Sequence, residues 1–381
     1  MKTAIIGGGA AGFFCAINLA EMMPKADITI FERQARPLRK VEISGGGRCN
    51  CTNTFEEVTD LQHVYPRGAR LMGRLFRQFS PQDAYRWFES HGVPLTVQPD
   101  HCVFPAAQDS HAIIDCFMRE TRRHGIHIMT STPIGDPSSL LPDFDNIVVT
   151  TGGQPKMGVP SLFTFRIDDT SLQACMGIVV PDVIASIPGT KMRATGPLLI
   201  THWGMSGPVI LRLSSYAARH LAEHNYTAPL AINWTGVTDT EVVRKDVEDT
   251  LLQNKSRQLV NLKLYNLQSH LWHYLLGKLG LTERRASEVG GKQLNRLINL
   301  LTNDTYTISG RSPYRDEFVT CGGIPLTEIE PTTLESRTTP HIYYAGEVLD
   351  IDGITGGFNF QAAWTTAYVV AQAISRQQTK P

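Results

Sequence analysis

The residues with the clearest chemical capability stand near the start of the chain. Thr3 to Ile6, an apolar run with β-branched content, is followed at once by Gly7-Gly8-Gly9-Ala10-Ala11-Gly12 and then by helical periodicity from Phe13 to Met23. Strand, glycine turn and helix in that order suit a pyrophosphate. Gly7 supplies the backbone angles of the turn, Gly9 lets the main chain approach a phosphate, and Gly12 lets helix and strand pack closely. The phosphates then lie on a helix N-terminus, where free N–H groups and the helix dipole favour negative charge. A second strand, Ile28 to Phe31, leads into Glu32, roughly 20 residues beyond Gly12, where a carboxylate accepts hydrogen bonds from a ribose diol. The spacing predicts a dinucleotide with an unmodified 2′-hydroxyl, FAD or NAD.

A second glycine cluster follows in the stretch from Lys40 to Asn53. Ser44-Gly45-Gly46-Gly47 allows consecutive backbone N–H groups to turn toward one ligand, and Arg48 adds fixed positive charge beside Cys49 and Asn50. A plain NAD dehydrogenase has no evident need for it. Further on, Asn146 to Thr151 reads as a buried strand opening onto Gly152-Gly153. Near the end, Ile342 to Glu347 is another, closing on Gly346 and Glu347. Asp350 to Gly357 then leads into a final helix carrying Asn359, Gln361 and Trp364. Two ends of the chain thus offer cofactor-type edges. A long cofactor such as FAD would meet the first turn at its pyrophosphate and the last helix N-terminus near its flavin. No later strand is followed by another G-x-G-x-x-G, which argues against a second nucleotide domain.

The elements that must position these groups belong to a chain of 381 residues, 42% hydrophobic and 19% charged, enough for two or three packed units. Thirty-six Lys plus Arg balance thirty-six Asp plus Glu, so no global field gathers a polyanion, although a local basic patch stays open. No window approaches the roughly 18 unbroken apolar residues of a membrane span, so the expectation is a soluble cytoplasmic protein. Seven scattered Cys do not resemble a secreted disulfide scaffold, and Cys49 with Cys51 lacks a second pair at zinc spacing, so no metal is expected.

From Pro160 to Trp234 short β-like runs (Leu162 to Ile167, Gly177 to Val180, Pro197 to Thr201, Leu230 to Trp234) alternate with turn signals and suit a small barrel or sandwich. Thr238 to Asn254, Asn266 to Leu279 and Gly291 to Asn303 read as three helices, with Asp239 and Thr282 as N-caps. Arg311 to Phe318 would return the chain to the cofactor domain. Within Thr201 to Pro208, His202 is either an acid/base facing the flavin or, the favoured reading, a residue fixing a tight turn. Cys49 reads as a buried inert thiol rather than a redox group. Tyr343, Tyr344, Leu271, Trp272 and Tyr274 read as core.

Taken together, Gly7 to Gly12, Ser44 to Asn53, Cys102 to Pro105, Thr150 to Gly153, Thr201 to Pro208 and Thr320 to Gln361 resemble, in order, the blocks of the bacterial flavoproteins called YhiN-like or BaiN-like, also described as aminoacetone-oxidase-type FAD-binding enzymes. The resemblance covers most of the chain. It implies an α/β fold: a split Rossmann-like FAD-binding domain (1–157 and 307–381) interrupted by a β-barrel-like region (158–236) and a three-helix subdomain (237–306). The implied cofactor contacts are Gly7, Gly9, Ala10, Ala11, Gly12, Glu32, Arg33, Lys40, Ser44, Gly45, Gly46, Gly47, Arg48, Cys49, Asn50, Thr151, Gly152, Gly153, Gly346, Glu347, Asp352, Gly356, Gly357, Phe358, Asn359 and Gln361. No catalytic residue is assigned. The chain departs from the family in two short loops, 132–144 and 154–159.

The expected function is an FAD-dependent oxidoreductase exchanging a hydride with a small organic substrate held between the cofactor domain and the insert. NAD(P)H or dioxygen would serve as redox partner. Family substrates would be small amino ketones or enone-bearing steroid-like molecules. The alternatives are a flavin-dependent RNA-modifying protein, against which zero net charge and the lack of a long basic tract weigh, and a non-catalytic flavin carrier. Oligomeric state is not readable from these residues.

Overall fold

The computed structural model describes residues 1–153, 158–312 and 319–377. The chain forms two compact units, one made of Met1–Pro160 with Asp316–Pro381 and the other of Ser161–Arg315. In chain order, the elements of the first that matter for the site are strand β1 (Lys2–Ile6), helix α1 (Ala10–Met22), strand β2 (Asp27–Phe31), helix α2 (Arg39–Gly47), helix α3 (Ala69–Leu75), strands β3 (His127–Met129), β4 (Asn146–Val149) and β5 (Ile342–Tyr344), and helix α4 (Phe358–Gln377).

Among the described residues, five strands make a parallel sheet in the order β5-β4-β1-β2-β3. Ile5 lies opposite Ile30 on one side and Val148 on the other. The central strands are short, nearly continuous apolar runs because both faces are covered. Helix α1 is buried along almost its whole length, as a helix wedged among aromatic neighbours must be. Phe14 lies 4.5 Å from the Trp87 ring and 5.1 Å from that of Trp364 on α4. Tyr343 is fully buried in β5, and its hydroxyl oxygen accepts from Gln377 Nε2 at 2.6 Å, as a core residue would. Tyr344, by contrast, is half-buried.

The chain leaves β1 toward β2 and β3 on one side and takes up β4 and β5 on the other. This places a topological switch point at the carboxyl ends of β1 and β4, where α/β sheets bind ligands. A smaller antiparallel sheet of Thr52–Asn53, Cys102–Pro105 and Leu95–Val97 belongs to the same unit.

The second unit is a closed antiparallel barrel with helices, as its alternating runs led one to expect. Its strands are Val179–Ser186, Arg193–Thr201, Gly204–Ser206, Phe165–Arg166, Asp304–Arg311 and Thr227–Asn233. Two expectations change. The run from Leu162 shrinks to Phe165–Arg166, and a strand not foreseen, Asp304–Arg311, lies along Thr227–Asn233 with Pro229 opposite Thr307. Residues 307–311 are therefore barrel residues, not part of the returning cofactor segment. Inward Asp304, Tyr306 and Ile308 alternate with outward neighbours, but the strand begins where the preceding helix ends, so no turn signal announces it. The buried Asp304 carboxylate accepts from Trp234 Nε1 at 3.0 Å and Tyr306 Oη at 2.5 Å, and it pairs with Lys278.

The three helices form at Thr240–Gln253, Ser269–Leu279 and Gly291–Asn303. Asp239 caps the first by accepting from Glu241 N at 2.9 Å. Thr282 caps nothing: it lies in a turn, and Gly290 precedes the third helix. Leu271 and Trp272 are core, while Tyr274 is half-buried with its hydroxyl on Asp169. His202 is exposed in the two-residue turn joining Arg193–Thr201 to Gly204–Ser206, against the neighbouring Trp203 ring. Loop 132–144 contains a single short 3-10 turn, Pro137–Leu140. Of the second departing loop, residues 154–157 lie outside the described residues, as do 313–318 of the expected return.

Candidate functional site

At the switch point each glycine has its own structural reason. Gly7 sits at φ +116°, and a Cβ there would lie 2.4 Å from the Thr150 carbonyl oxygen. A Cβ on Gly12 would lie 2.0 Å from the Gly7 carbonyl oxygen, so α1 can follow β1 this closely only without a side chain. Gly9 differs. It is the N-cap of α1 in extended geometry, and a Cβ there would meet nothing within 4 Å. The backbone at Gly9 thus borders open space, directly before Ala10 and Ala11, at a helix start whose first N–H groups have no intrahelical acceptor. Thr150 completes the turn by donating to Gly7 O at 2.9 Å and Ile6 O at 3.1 Å. It opens the Thr150 to Gly153 block but was not among the expected contact residues. Glu32 closes the far side: its two carboxylate oxygens accept from Gly8 N at 2.8 Å and Gln34 N at 2.7 Å. Each carboxylate oxygen keeps further acceptor capacity for a sugar hydroxyl. Arg33 beside it is exposed.

The second glycine cluster is the kinked end of α2. Ser44 is extended, and Gly45, Gly46 and Gly47 follow at φ +57°, +66° and +83°, three consecutive left-handed residues that turn successive N–H groups out of the helix. Cβ atoms on Gly46 and Gly47 would again meet nothing within 4 Å. Arg48 is exposed, 4.5 Å above the Phe104 ring, and donates to Gly45 O at 3.3 Å. Lys40, at the start of the same helix, donates to Glu347 at 2.8 Å, and the other Glu347 oxygen accepts from Thr320 N at 2.9 Å. A Cβ on Gly152 would lie 3.5 Å from that carboxylate, and one on Gly153 would collide with Thr320.

The two ends of the chain therefore meet in one place. Gly346, at φ +76°, comes so near α1 that its Cβ would lie 2.8 Å from Ala11 Cβ. Gly356 and Gly357, at φ +127° and +86°, deliver the chain into α4. With its amide turned to match its neighbours, Asn50 donates to Thr52 O at 2.9 Å and accepts from Gly357 N at 3.2 Å. Asn53 donates to Gly356 O at 3.1 Å.

Several of the expected contact residues turn out to build the frame. Gln361 is buried on α4, with its amide joined to the Thr52 hydroxyl at 2.6 Å and Thr365 at 3.0 Å. Asn359 uses both ends of its amide on the Gly353 backbone, at 2.8 and 2.9 Å. Asp352 is fully buried and pairs with Arg67, whose Nε donates to it at 2.6 Å. Arg67 is a residue the sequence did not single out. Phe358 is buried, and its carbonyl accepts from Tyr65 at 2.8 Å. Among the described residues no group of three His, Cys, Asp or Glu could hold a metal ion.

Cys49 is buried at φ +60°. Burial pushes its thiol up to about 12, against a smaller opposing effect of a hydrogen bond with Ser44. At pH 7–8 its thiolate is scarce and enclosed. Iodoacetamide should leave Cys49 unmodified in the native protein and label it after denaturation, as read by peptide mass spectrometry; rapid native labelling would contradict this placement.

A parallel sheet with a Gly-x-Gly-x-x-Gly turn at its switch point, an acid closing β2, and the last helix returning to the same edge defines a Rossmann-type dinucleotide-binding protein. The chain belongs to the HI0933-like family: the model described as "HI0933-like protein Rossmann domain" matches residues 1–373. It is an FAD-binding flavoprotein oxidoreductase of the YhiN/BaiN-like kind. The open backbone at Gly9, Gly46 and Gly47 fits an elongated cofactor. The chain is 26% identical over 98% of its length to a ribosomal RNA dihydrouridine synthase of Haemophilus influenzae, 98% of which is covered. It is 28% identical to the Escherichia coli protein of the same name, over 97% of this chain and 96% of that one. It is 25% identical to a 3-dehydro-bile acid delta(4,6)-reductase of Clostridium scindens, over 99% of each. No helix among the described residues is long and apolar enough to cross a membrane.

Proposed function

We propose that this protein is an FAD-dependent reductase that saturates a carbon–carbon double bond conjugated to a carbonyl. The carrying observation is the single cradle made by both chain ends, with bare backbone at Gly9, Gly46 and Gly47. FAD, when bound, accepts a hydride from a reduced nicotinamide and passes it to an electron-poor carbon. In this reading the N-terminus of α1 holds the pyrophosphate and Glu32 accepts from the ribose. Lys40, Arg48 and the N–H groups of Gly45 to Gly47 supply positive potential. The N-terminus of α4, entered through Gly356 and Gly357, favours negative charge at the flavin end. Gly152, Gly153, Gly346 and Glu347 line the path between.

The names of the relatives support this chemistry. Making a dihydrouridine and reducing a 4,6-diene beside a 3-oxo group both saturate a bond conjugated to a carbonyl. A small enone is one substrate class; a uracil ring within RNA is the other, favoured by the two relatives named for it. NADH or NADPH is the proposed donor, visiting transiently, with dioxygen as an alternative acceptor.

The test is anaerobic stopped-flow. The yellow protein should bleach on mixing with NADH or NADPH and recover its colour, faster than with buffer, on addition of a 4-en-3-one steroid or a uridine-containing RNA. A flavin inert to every donor would replace this reading with that of a carrier.

A further inference from the structure

We infer that the outer face of α3 and the turn after it form a phosphate-binding ridge for single-stranded RNA. The inference deepens the uracil arm of the reading above and rests on it. From Leu61 to Gln82 the sequence contains Arg67, Arg70, Arg74 and Arg77 and no acidic residue, in a chain whose charges cancel overall. Arg70 and Arg74 are four apart on α3, and Arg77 follows three later, where Gln78 N and Phe79 N still bond to Leu75 O in a continuing helical turn. Residues at this spacing share a face, about 5–6 Å apart. All three are exposed, with Gly73 leaving the surface between them low, while Leu71, Met72 and Leu75 face the core.

None of the three side chains has a carboxylate partner among the described residues. By contrast, exposed Arg86, Arg166 and Arg337 pair with Asp83, Asp168 and Glu330. The acids flanking the stretch are engaged: Asp60 accepts from Gln62 N, and Asp83 from Ser80 and Arg86. Unneutralised guanidinium groups in a row recognise a run of phosphates, and Arg binds them by forked hydrogen bonds. The ridge offers no large exposed apolar side chain, so it lacks the face that a membrane surface would take up.

The ridge also begins at the candidate site. Arg67, one residue before the Gly68 N-cap, pairs with Asp352. The missing Cβ of Gly68 would lie 2.7 Å from Ile351, and Ile354 N donates to Val64 O at 2.9 Å. A strand tracked along Arg77, Arg74 and Arg70 is thus led to the loop that enters α4.

The experiment compares the FAD-loaded full chain with a triple variant, Arg70→Gln, Arg74→Gln and Arg77→Gln. A control, Arg86→Gln, Arg166→Gln and Arg337→Gln, makes the same change in net charge. Fluorescence anisotropy with a labelled uridine-rich single-stranded RNA is recorded across a salt series, with flavin content and enone reduction measured on each protein. The expected result is RNA binding by the wild type and the control. The triple variant should bind roughly tenfold or more weakly at 0.1 M salt, with a salt slope shallower by about 2. Equal losses in both variants, no RNA binding by the wild type at low salt, or binding to phosphatidylserine vesicles but not to RNA would each overturn the ridge. Intact enone reduction in those cases would leave the reductase reading standing; loss of flavin reduction in the wild type would remove that reading instead.

Discussion

Replacing Gly9 by valine yields a folded protein without colour. Gly9 is extended, at φ −98° and ψ −168°, a conformation open to any residue, and its Cβ position is empty of protein atoms. The apoprotein therefore loses only the N-cap preference for glycine, on the order of 1 kcal/mol. The valine methyls, however, fill the space through which a pyrophosphate reaches the N–H groups of α1. Losing two charge-assisted hydrogen bonds at about 1.5–3 kcal/mol each weakens FAD binding by roughly 100-fold or more. Gly12→Ala fails differently, because its Cβ would lie 2.0 Å from a backbone oxygen; overpacking of about 1–3 kcal/mol appears in the apoprotein melt itself. Flavin-to-protein absorbance ratios and apoprotein melting curves separate the two. A Gly9→Val protein that purifies fully yellow would mean the phosphates lie elsewhere.

Asp352→Ala should cost about 3–5 kcal/mol of stability, because it leaves the largely buried Arg67 guanidinium without its carboxylate. The pair is enclosed, with side-chain exposures of 13% for Arg67 and 0% for Asp352. It fastens residues 64–68 to the loop before α4 together with the Tyr65 to Phe358 bond. Replacing both partners, Arg67→Met with Asp352→Leu, should recover much of the loss, since no charge is then stranded. Denaturant midpoints at constant m-value measure both. A single variant within 1 kcal/mol of wild type would show that the ion pair is not a main fastening. Lys40→Ala, removing a pair in which Lys40 is 65% exposed, should change stability far less.

The parts of this molecule that were readable from sequence are those governed by local rules. The glycine turn was readable because strand, glycine spacing, helix and acid follow one another closely along the chain, and Gly12 excludes a side chain through its near neighbour Gly7; the Thr150 carbonyl that excludes one at Gly7 is distant in sequence. Strands β1, β2, β4 and β5 were readable because burial leaves a nearly unbroken apolar run, whereas the edge strand β3 is short and partly exposed and carries no such run; the three helices were readable because their apolar spacing persists for several turns. The barrel strand Asp304–Arg311 was missed because a strand is completed by a distant partner, here Thr227–Asn233, and nothing at its own ends marked it. Thr282 had the chemistry of a cap without a helix beginning beside it.

The sequence by itself determined that a dinucleotide turn opens the chain and that a second glycine-rich edge closes it, since main-chain steric rules act within a few residues. Only the tertiary structure decided which polar groups frame that edge and which remain exposed on it. Asp352, Asn359 and Gln361 face partners up to hundreds of residues away, whereas Arg70, Arg74 and Arg77 face solvent. A side chain's partner is set by which elements pack against it, and that depends on burial summed over the whole unit rather than on neighbouring residues.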